Sequence, residues 1–144
     1  MTPAGHVLAR SLPPPRGMTI QSQILGKTGE NLAVSELTTR GYAILDRRYR
    51  TRFGEIDIVA RDGDTIVFVE VKARATAEFG PAAEAVTPLK QRRLASMAVD
   101  YLARHRLTES PCRFDVVAID DALSDDPAIT LYAGAFDEGG SSRL

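Results

Sequence analysis

The chain has 144 residues, 44% hydrophobic and 26% charged, a balance that suits one soluble globular domain and leaves no apolar run near the roughly 20 residues of a membrane span. One cysteine, Cys112, and two histidines, His6 and His105, exclude an internal disulfide, a cysteine zinc cluster and a His-rich metal site, and leave a Ser-His-Asp arrangement little to build from. The net charge of −1 is unevenly spread: from residue 120 onward six acids against Arg143 give −5, so residues 1–119 carry +4, compatible with a polyanionic partner.

Residues 1–21, with Pro13-Pro14-Pro15 beside Arg16, lack the apolar stretch of a signal peptide and read as a disordered extension. Met18 offers an alternative start, and the expected compartment is the cytoplasm. A single domain is expected over 22–133, followed by a disordered tail over 134–144. Residues 28–40 form the first predicted helix, with Leu32, Val34 and Leu37 as apolar positions and Gly41 as its stop. Glu30 lies near its start. The residues three, four and seven further on are Ala33, Val34 and Leu37, so Glu30 falls on the stripe that faces the core. A short strand over 42–45 then runs into a basic segment, read as a loop, that holds Arg47, Arg48, Arg50 and Arg52 around Tyr49.

Residues 54–72, GEIDIVARDGDTIVFVEVK, carry the strongest signal in the chain. Asp62-Gly63 marks a two-residue hairpin loop, which would place Ile56 opposite Val69, Ile58 opposite Val67 and Asp57 opposite Phe68. In that register one face is apolar (Ile56, Ile58, Val67, Val69, Val71), and the other carries Glu55, Asp57, Glu70 and Lys72 at the end away from the turn. Asp57 and Glu70 are then diagonal neighbours, roughly 7–8 Å apart at Cα. Two carboxylates so placed can share one hard cation, as magnesium usually takes only one or two from a protein. Val71 offers a backbone carbonyl as a further ligand, and Lys72 stands one step beyond Glu70. Glu55 is expected either to be exposed or to pair with an arginine.

Residues 73–86 read as a loop with Gly80-Pro81 as a breaker. Thr87 is a candidate N-cap and Pro88 the first residue of a helix reaching about Arg106, with Leu94, Met97, Ala98, Tyr101 and Leu102 inward and His105 near its end as a surface or capping residue. Lys90, Arg92 and Arg93 load the start of that helix with positive charge against the macrodipole, which suggests a phosphate partner. Residues 113–119 form a buried strand, and 129–132 a short edge strand. The order predicts an α/β fold, a mixed sheet with helices on its faces.

Asp57, twelve intervening residues and then Glu70-Val71-Lys72 resemble the (D/E)-x-K signature of restriction-endonuclease-like nucleases. Together with Gly29-Glu30, Gly41-Tyr42, Gly54-Glu55-Ile56-Asp57-Ile58, Phe68-Val69, Ala73-Arg74 and Phe79-Gly80, the string resembles the YraN family of bacterial proteins, itself similar in its core to archaeal Holliday-junction resolvases. The resemblance implies a restriction-endonuclease-like αβββαβ core, Mg²⁺ or Mn²⁺ as cofactor, and a nucleic-acid substrate, with DNA of branched or structured form favoured over RNA. It also implies Asp57 and Glu70 as metal ligands, Lys72 as catalytic lysine and Glu30 as the helix glutamate that completes the site. Ile56 stands where the signature usually has proline. Arg47, Arg48, Arg50, Arg52, Arg74, Lys90, Arg92 and Arg93 are the candidate phosphate contacts, which position a backbone without reading bases. A two-fold homodimer follows by analogy with resolvases. Two rival expectations stand beside the enzyme: a nucleic-acid-binding module of the same fold, and a structural domain whose hairpin acids only form ion pairs.

Overall fold

The computed structural model describes residues 19–76, 78, 80–137 and 144, so residues 1–18 and 138–143, along with Ala77 and Phe79, lie outside it. Its elements are helix α1 (Ile20–Thr39), strands β1 (Ala43–Thr51), β2 (Gly54–Asp62) and β3 (Thr65–Ala73), a 3₁₀ turn (Ala82–Ala85), helix α2 (Pro88–Arg104), and strands β4 (Cys112–Asp120) and β5 (Ala128–Phe136). The sheet order is β1-β2-β3-β4-β5, antiparallel except for the β3–β4 pair. A parallel pair needs a crossover, and α2 supplies it. The expected restriction-endonuclease-like core of mixed sheet and flanking helices is present, extended by β5.

Local chemistry sets the ends of the elements. Thr19 caps α1, its hydroxyl accepting the Ser22 N–H at 3.0 Å, which starts the helix well before residue 28 and inside the expected extension. Ile20 and Ile24 are exposed in those added turns, so no amphipathic stripe announces them. At the other end Gly41, with φ of 94°, permits a Schellman motif: its N–H bonds Thr38 O, and Tyr42 N–H bonds Leu37 O. Thr87 caps α2 as expected, with Pro88 in its first turn and His105 as its C-cap. β5 continues to Phe136, past the expected boundary at 133, because Ala135 and Phe136 bury their side chains in the core.

Three departures from expectation concern β1 to β3. Arg47, Arg48 and Arg50 do not lie in a loop. They belong to β1, which stays extended because it pairs with β2 from Ala43↔Arg61 to Thr51↔Gly54. In the hairpin Asp62 pairs with Thr65, so its loop is Gly63-Asp64, one position later than expected. Gly63 alone there has positive φ, 61°, as a II′ turn requires, and Asp62 is kept in the strand by Arg113, 2.9 Å away. Val59, not Asp57, therefore faces Phe68.

Two cores result, one on each face of the sheet. α1 contributes Ala33 and Leu37 against Ile58, Ala60, Val67, Val69, Val117 and Ile119. α2 contributes Leu94, Met97, Ala98 and Tyr101 against Ile56, Val59, Phe68, Phe114 and Val116. Among the described residues two carboxylates are buried, Glu30 of α1 and Asp115 of β4. Asp115 is fully buried and accepts bonds from Tyr42 Oη at 2.8 Å, Arg113 Nε at 2.9 Å and Gly134 N at 2.9 Å, tying the link before β1 to β4 and β5.

α1 rests close on β3 at Gly29, where an added Cβ would meet the Ala73 Cβ at 2.7 Å. Gly29→Ala should therefore destabilise the fold, by about 1–3 kcal/mol of overpacking less the roughly 1 kcal/mol that alanine contributes to a helix. Urea denaturation checks this. The companion change Ala73→Gly should recover most of the loss, whereas purely additive effects would show that the two positions do not meet.

Candidate active site

The site begins where β2 and β3 cease to pair. Their ladder runs from Asp62↔Thr65 to Ile58↔Val69 and stops, while β1 and β2 remain paired to Thr51↔Gly54. Just past the stop, Asp57 Oδ2 accepts the Val71 N–H at 2.8 Å, so a side chain does there what a strand carbonyl does elsewhere. Ile58 belongs to the α1 core and Ile56 to the α2 core, although residues two apart on a regular strand share a face. Asp57 sits at this reversal.

Across the ladder the reversal meets Arg48, which lies between the paired Arg47↔Ile58 and Tyr49↔Ile56. Arg48 has φ of 55°, in the left-handed region that non-glycine residues seldom occupy. That break lets two consecutive residues of β1 reach one acceptor. Arg47 Nε donates to Glu30 Oε2 at 2.6 Å, and Arg48 Nε to Glu30 Oε1 at 2.9 Å. Glu30 is 8% exposed, on the core-facing stripe of α1 as expected. Two adjoining clefts meet at Glu30 and Asp57. One, of about 310 Å³, also takes in Val71, Lys72 and Arg74; the other, of about 530 Å³, takes in Arg48 and Glu55. The helix glutamate thus lies beside the hairpin aspartate, with both its oxygens held by arginines.

Burial raises the Asp57 carboxyl to about 6, opposed by the Val71 hydrogen bond and assisted by the charges of Glu30 and Glu55. Burial also raises Glu70, to about 8, and the Asp57 charge adds to the rise, so the two carboxylates feel each other. Lys72 is lowered, chiefly by burial and then by the charges of Lys90 and Arg74. Shifts of this kind gather where chemistry is done. Among the described residues no three acidic, histidine or cysteine side chains converge into a ready-made cage. The donor set is a pair of half-buried, mutually repelling carboxylates, which fits a cation that takes few protein ligands and keeps its water.

The other expected contacts separate. Arg50 is paired with Glu55 at 2.8 Å, which accounts for Glu55, and the Arg52 guanidinium lies over the Phe53 ring at 4.9 Å. Lys90, Arg92 and Arg93 are exposed at the start of α2, and the Lys90 charge acts on both Glu70 and Lys72. Arg74 lines the smaller cleft. Reading the sequence missed that Arg47 and Arg48 are partners of Glu30, and it missed the Asp115 network, whose one signal was an aspartate within FDVVAI.

A mixed sheet flanked by helices, with an aspartate and a Glu-x-Lys at the parted ends of its central hairpin, is a restriction-endonuclease-like domain. The chain belongs to the uncharacterised protein family UPF0102, the YraN family, whose match covers residues 29–119 and so holds Glu30, Asp57, Glu70, Lys72 and Arg74. It is similar to a UPF0102 protein of Geobacter metallireducens, 50% identical over 102 residues that make up 71% of this chain and 84% of that protein. A UPF0102 protein of Geobacter sulfurreducens is 47% identical over 116 residues, 81% of this chain and 91% of that one. One from Symbiobacterium thermophilum is 50% identical over 99 residues, 69% and 84% respectively.

A pH dependence of stability follows from the carboxylate pair. Both folded values lie above the unfolded ones of about 3.9 and 4.3, so the folded protein holds more protons between those limits. Stability without metal should then fall as pH rises from about 4 to about 8. In urea titrations with EDTA, Glu70→Gln should be more stable than the parent at pH 8 and lose much of the parent's slope between pH 6 and 8. Equal slopes in the two proteins would mean that the pair carries no such cost.

Proposed function

We propose that this protein is a Mg²⁺- or Mn²⁺-dependent endonuclease that hydrolyses phosphodiester bonds in DNA, with branched or otherwise structured DNA as the favoured substrate. The observation that carries the reading is the joining of Asp57, Glu70 and Lys72 at the parted end of β2 and β3, beside a buried glutamate of α1. Charged residues on one strand face are ordinarily solvated and worth little. These three are partly or wholly desolvated, and the carboxylates are forced on each other rather than paired away.

In this reading Asp57 and Glu70 hold the cation, and the Val71 carbonyl is a further ligand. A bound divalent ion polarises a phosphate oxygen and lowers the pKa of water. The Val71 N–H fixes the Asp57 carboxylate through Oδ2, at the wall of the cleft that Asp57 lines. Lys72, its ammonium weakened by burial and by neighbouring cations, orients the attacking water and offsets charge on the phosphoryl oxygens. Glu30 adds negative potential at Asp57, and Arg47 and Arg48 hold its carboxylate in place. The exposed cations at the start of α2 supply sequence-independent attraction for the phosphate backbone.

Calorimetric titration with Mn²⁺ should show binding that either Asp57→Ala or Glu70→Ala weakens strongly. Retained affinity in the double variant would place the ion elsewhere. On a panel of duplex, single-stranded, flap and four-way DNA, Lys72→Ala should bind as the parent does while cutting about 10²–10⁴-fold more slowly. A parent protein that binds DNA and cuts none of these substrates with Mg²⁺ or Mn²⁺ replaces the enzyme with a binding module, the alternative that the clamped Glu30 carboxylate favours.

A further inference from the structure

Arg74 is the first residue past β3, and its backbone is fixed on both sides. Its N–H donates to Ile119 O at 2.8 Å, and its carbonyl accepts the Ala122 N–H at 2.9 Å. The side chain is different. Its Nε is buried and, among the described residues, has no hydrogen-bond acceptor. Arg40, Arg47, Arg48, Arg50, Arg104 and Arg113 each meet a carboxylate. Arg74 is only partly exposed and, among the described residues, meets none. A buried charged donor without an acceptor is costly, and in native structures such a group points to a missing partner.

The surroundings say what that partner is. Arg74 lines the smaller cleft together with Lys72 and Asp57, so two cations stand on one wall, two residues apart on a nearly extended chain, which is roughly 6.6 Å. Adjacent phosphates along an extended nucleic-acid strand are separated by a comparable distance. A guanidinium fork matches the oxygens of a phosphate, whereas a single lysine acts as a point charge. The opposite wall is α1, through Ser22, Leu25 and Gly26. At about 310 Å³ the cleft is at the small end of ligand pockets, roughly 300–1,000 Å³. It is open on one side and continues into the larger cleft at Glu30 and Asp57, so a single strand can lie along it between α1 and the end of β3.

We propose that the cleft between α1 and the end of β3 is a seat for one backbone phosphate of an unpaired strand, held by Arg74, next to the phosphate that Lys72 and the carboxylates address. Naming the anion as nucleic acid rests on the nuclease reading; the anion seat itself does not. The seat requires no metal. It selects strands that have left the duplex, at a branch, a flap or an end, because the α1 wall excludes a paired neighbour.

Arginine Nε–H resonances of ¹⁵N-labelled full-length protein, recorded in EDTA, test the seat directly. The Arg74 signal, assigned by its loss in Arg74→Lys, should move on addition of inorganic phosphate, and move at lower concentration with a thymidine dinucleotide carrying a 5′-phosphate. Binding of a short single-stranded oligonucleotide should weaken by about tenfold or more in Arg74→Lys, as loss of a charged hydrogen bond implies. The magnitude of its log–log salt slope should fall by about 0.7 in Arg74→Gln. A resonance unmoved by every anion overturns the seat, and it does so on the parent protein, whatever the fate of the variants. Movement with inorganic phosphate but not with the dinucleotide overturns the nucleic-acid assignment. Equal losses on blunt duplex and on single strands overturn the selection of unpaired strands. If the signal moves and the oligonucleotide binds while the parent cuts nothing, the seat stands and the nuclease reading falls.

Discussion

The parting of β2 from β3 beyond Ile58 and Val69 is the constraint on which the rest of the site depends. Within the paired part of the hairpin every amide finds a carbonyl and every side chain a predetermined face. At the parting that accounting has to be closed another way, and the Asp57 carboxylate closes it by taking the Val71 N–H. The consequence is a half-buried acid fixed to the neighbouring strand at Val71, which is one residue from Glu70 and three from Arg74. Arg48, with its left-handed backbone, is the mark of the same disturbance on β1. Unusual backbone of this kind costs of order 1–3 kcal/mol and persists where surrounding structure over-determines it. Here both arms of the over-determination are visible: the β1–β2 ladder on either side of Arg48, and its ion pair with Glu30.

Helix and hairpin are locked to each other through small atoms and charges in turn. Gly29 allows α1 to rest on Ala73, and the next residue, Glu30, uses that proximity to reach Arg47 and Arg48. The carboxylates are kept at a disadvantage by burial, and the cations around them are only partly matched to them. The charges of Lys90 and Arg74 lower Lys72 rather than joining it in closed pairs. Such an arrangement is poor for stability taken alone. It suits a site that receives both a cation and a polyanion, each relieving the charge that the other's ligands leave unbalanced.

Much of this was legible in the amino-acid sequence, for reasons that lie in local chemistry. Thr87-Pro88 and the inward stripe Leu94, Met97, Ala98 and Tyr101 specify α2 without help from the rest of the chain. Alternation and the Asp-Gly signal specify the hairpin, and the apolar positions three, four and seven residues after Glu30 announce its burial. The misplaced loop shows where local chemistry stops. Asp62-Gly63 and Gly63-Asp64 are both acceptable two-residue loops, and the choice falls to Asp62 meeting Arg113, fifty-one residues away. The arginines of β1 were harder still. A run of four basic residues looks like a solvated loop, and only the fold reveals that Arg47 and Arg48 serve Glu30 while Arg50 serves Glu55. The Asp115 network joins the link before β1 to β4 and β5, so nothing in any single segment announces it.

The sheet is open, and its two margins are built differently. Outermost strand β1 carries Asp46, Arg47, Arg48, Arg50 and a register shift between Ile44 and Asp46, all of which discourage another strand from adding to it. At the other margin β5, AITLYAGAF, has no charged residue in nine, and its relief comes from a register shift opposite Phe114–Val116 and from Gly134 at positive φ. Of the two margins, β5 is the one whose side chains oppose added backbone least. The charged margin is the one beside the cleft, so the residues that guard that edge of the sheet are the same ones, Arg47 and Arg48, that hold Glu30.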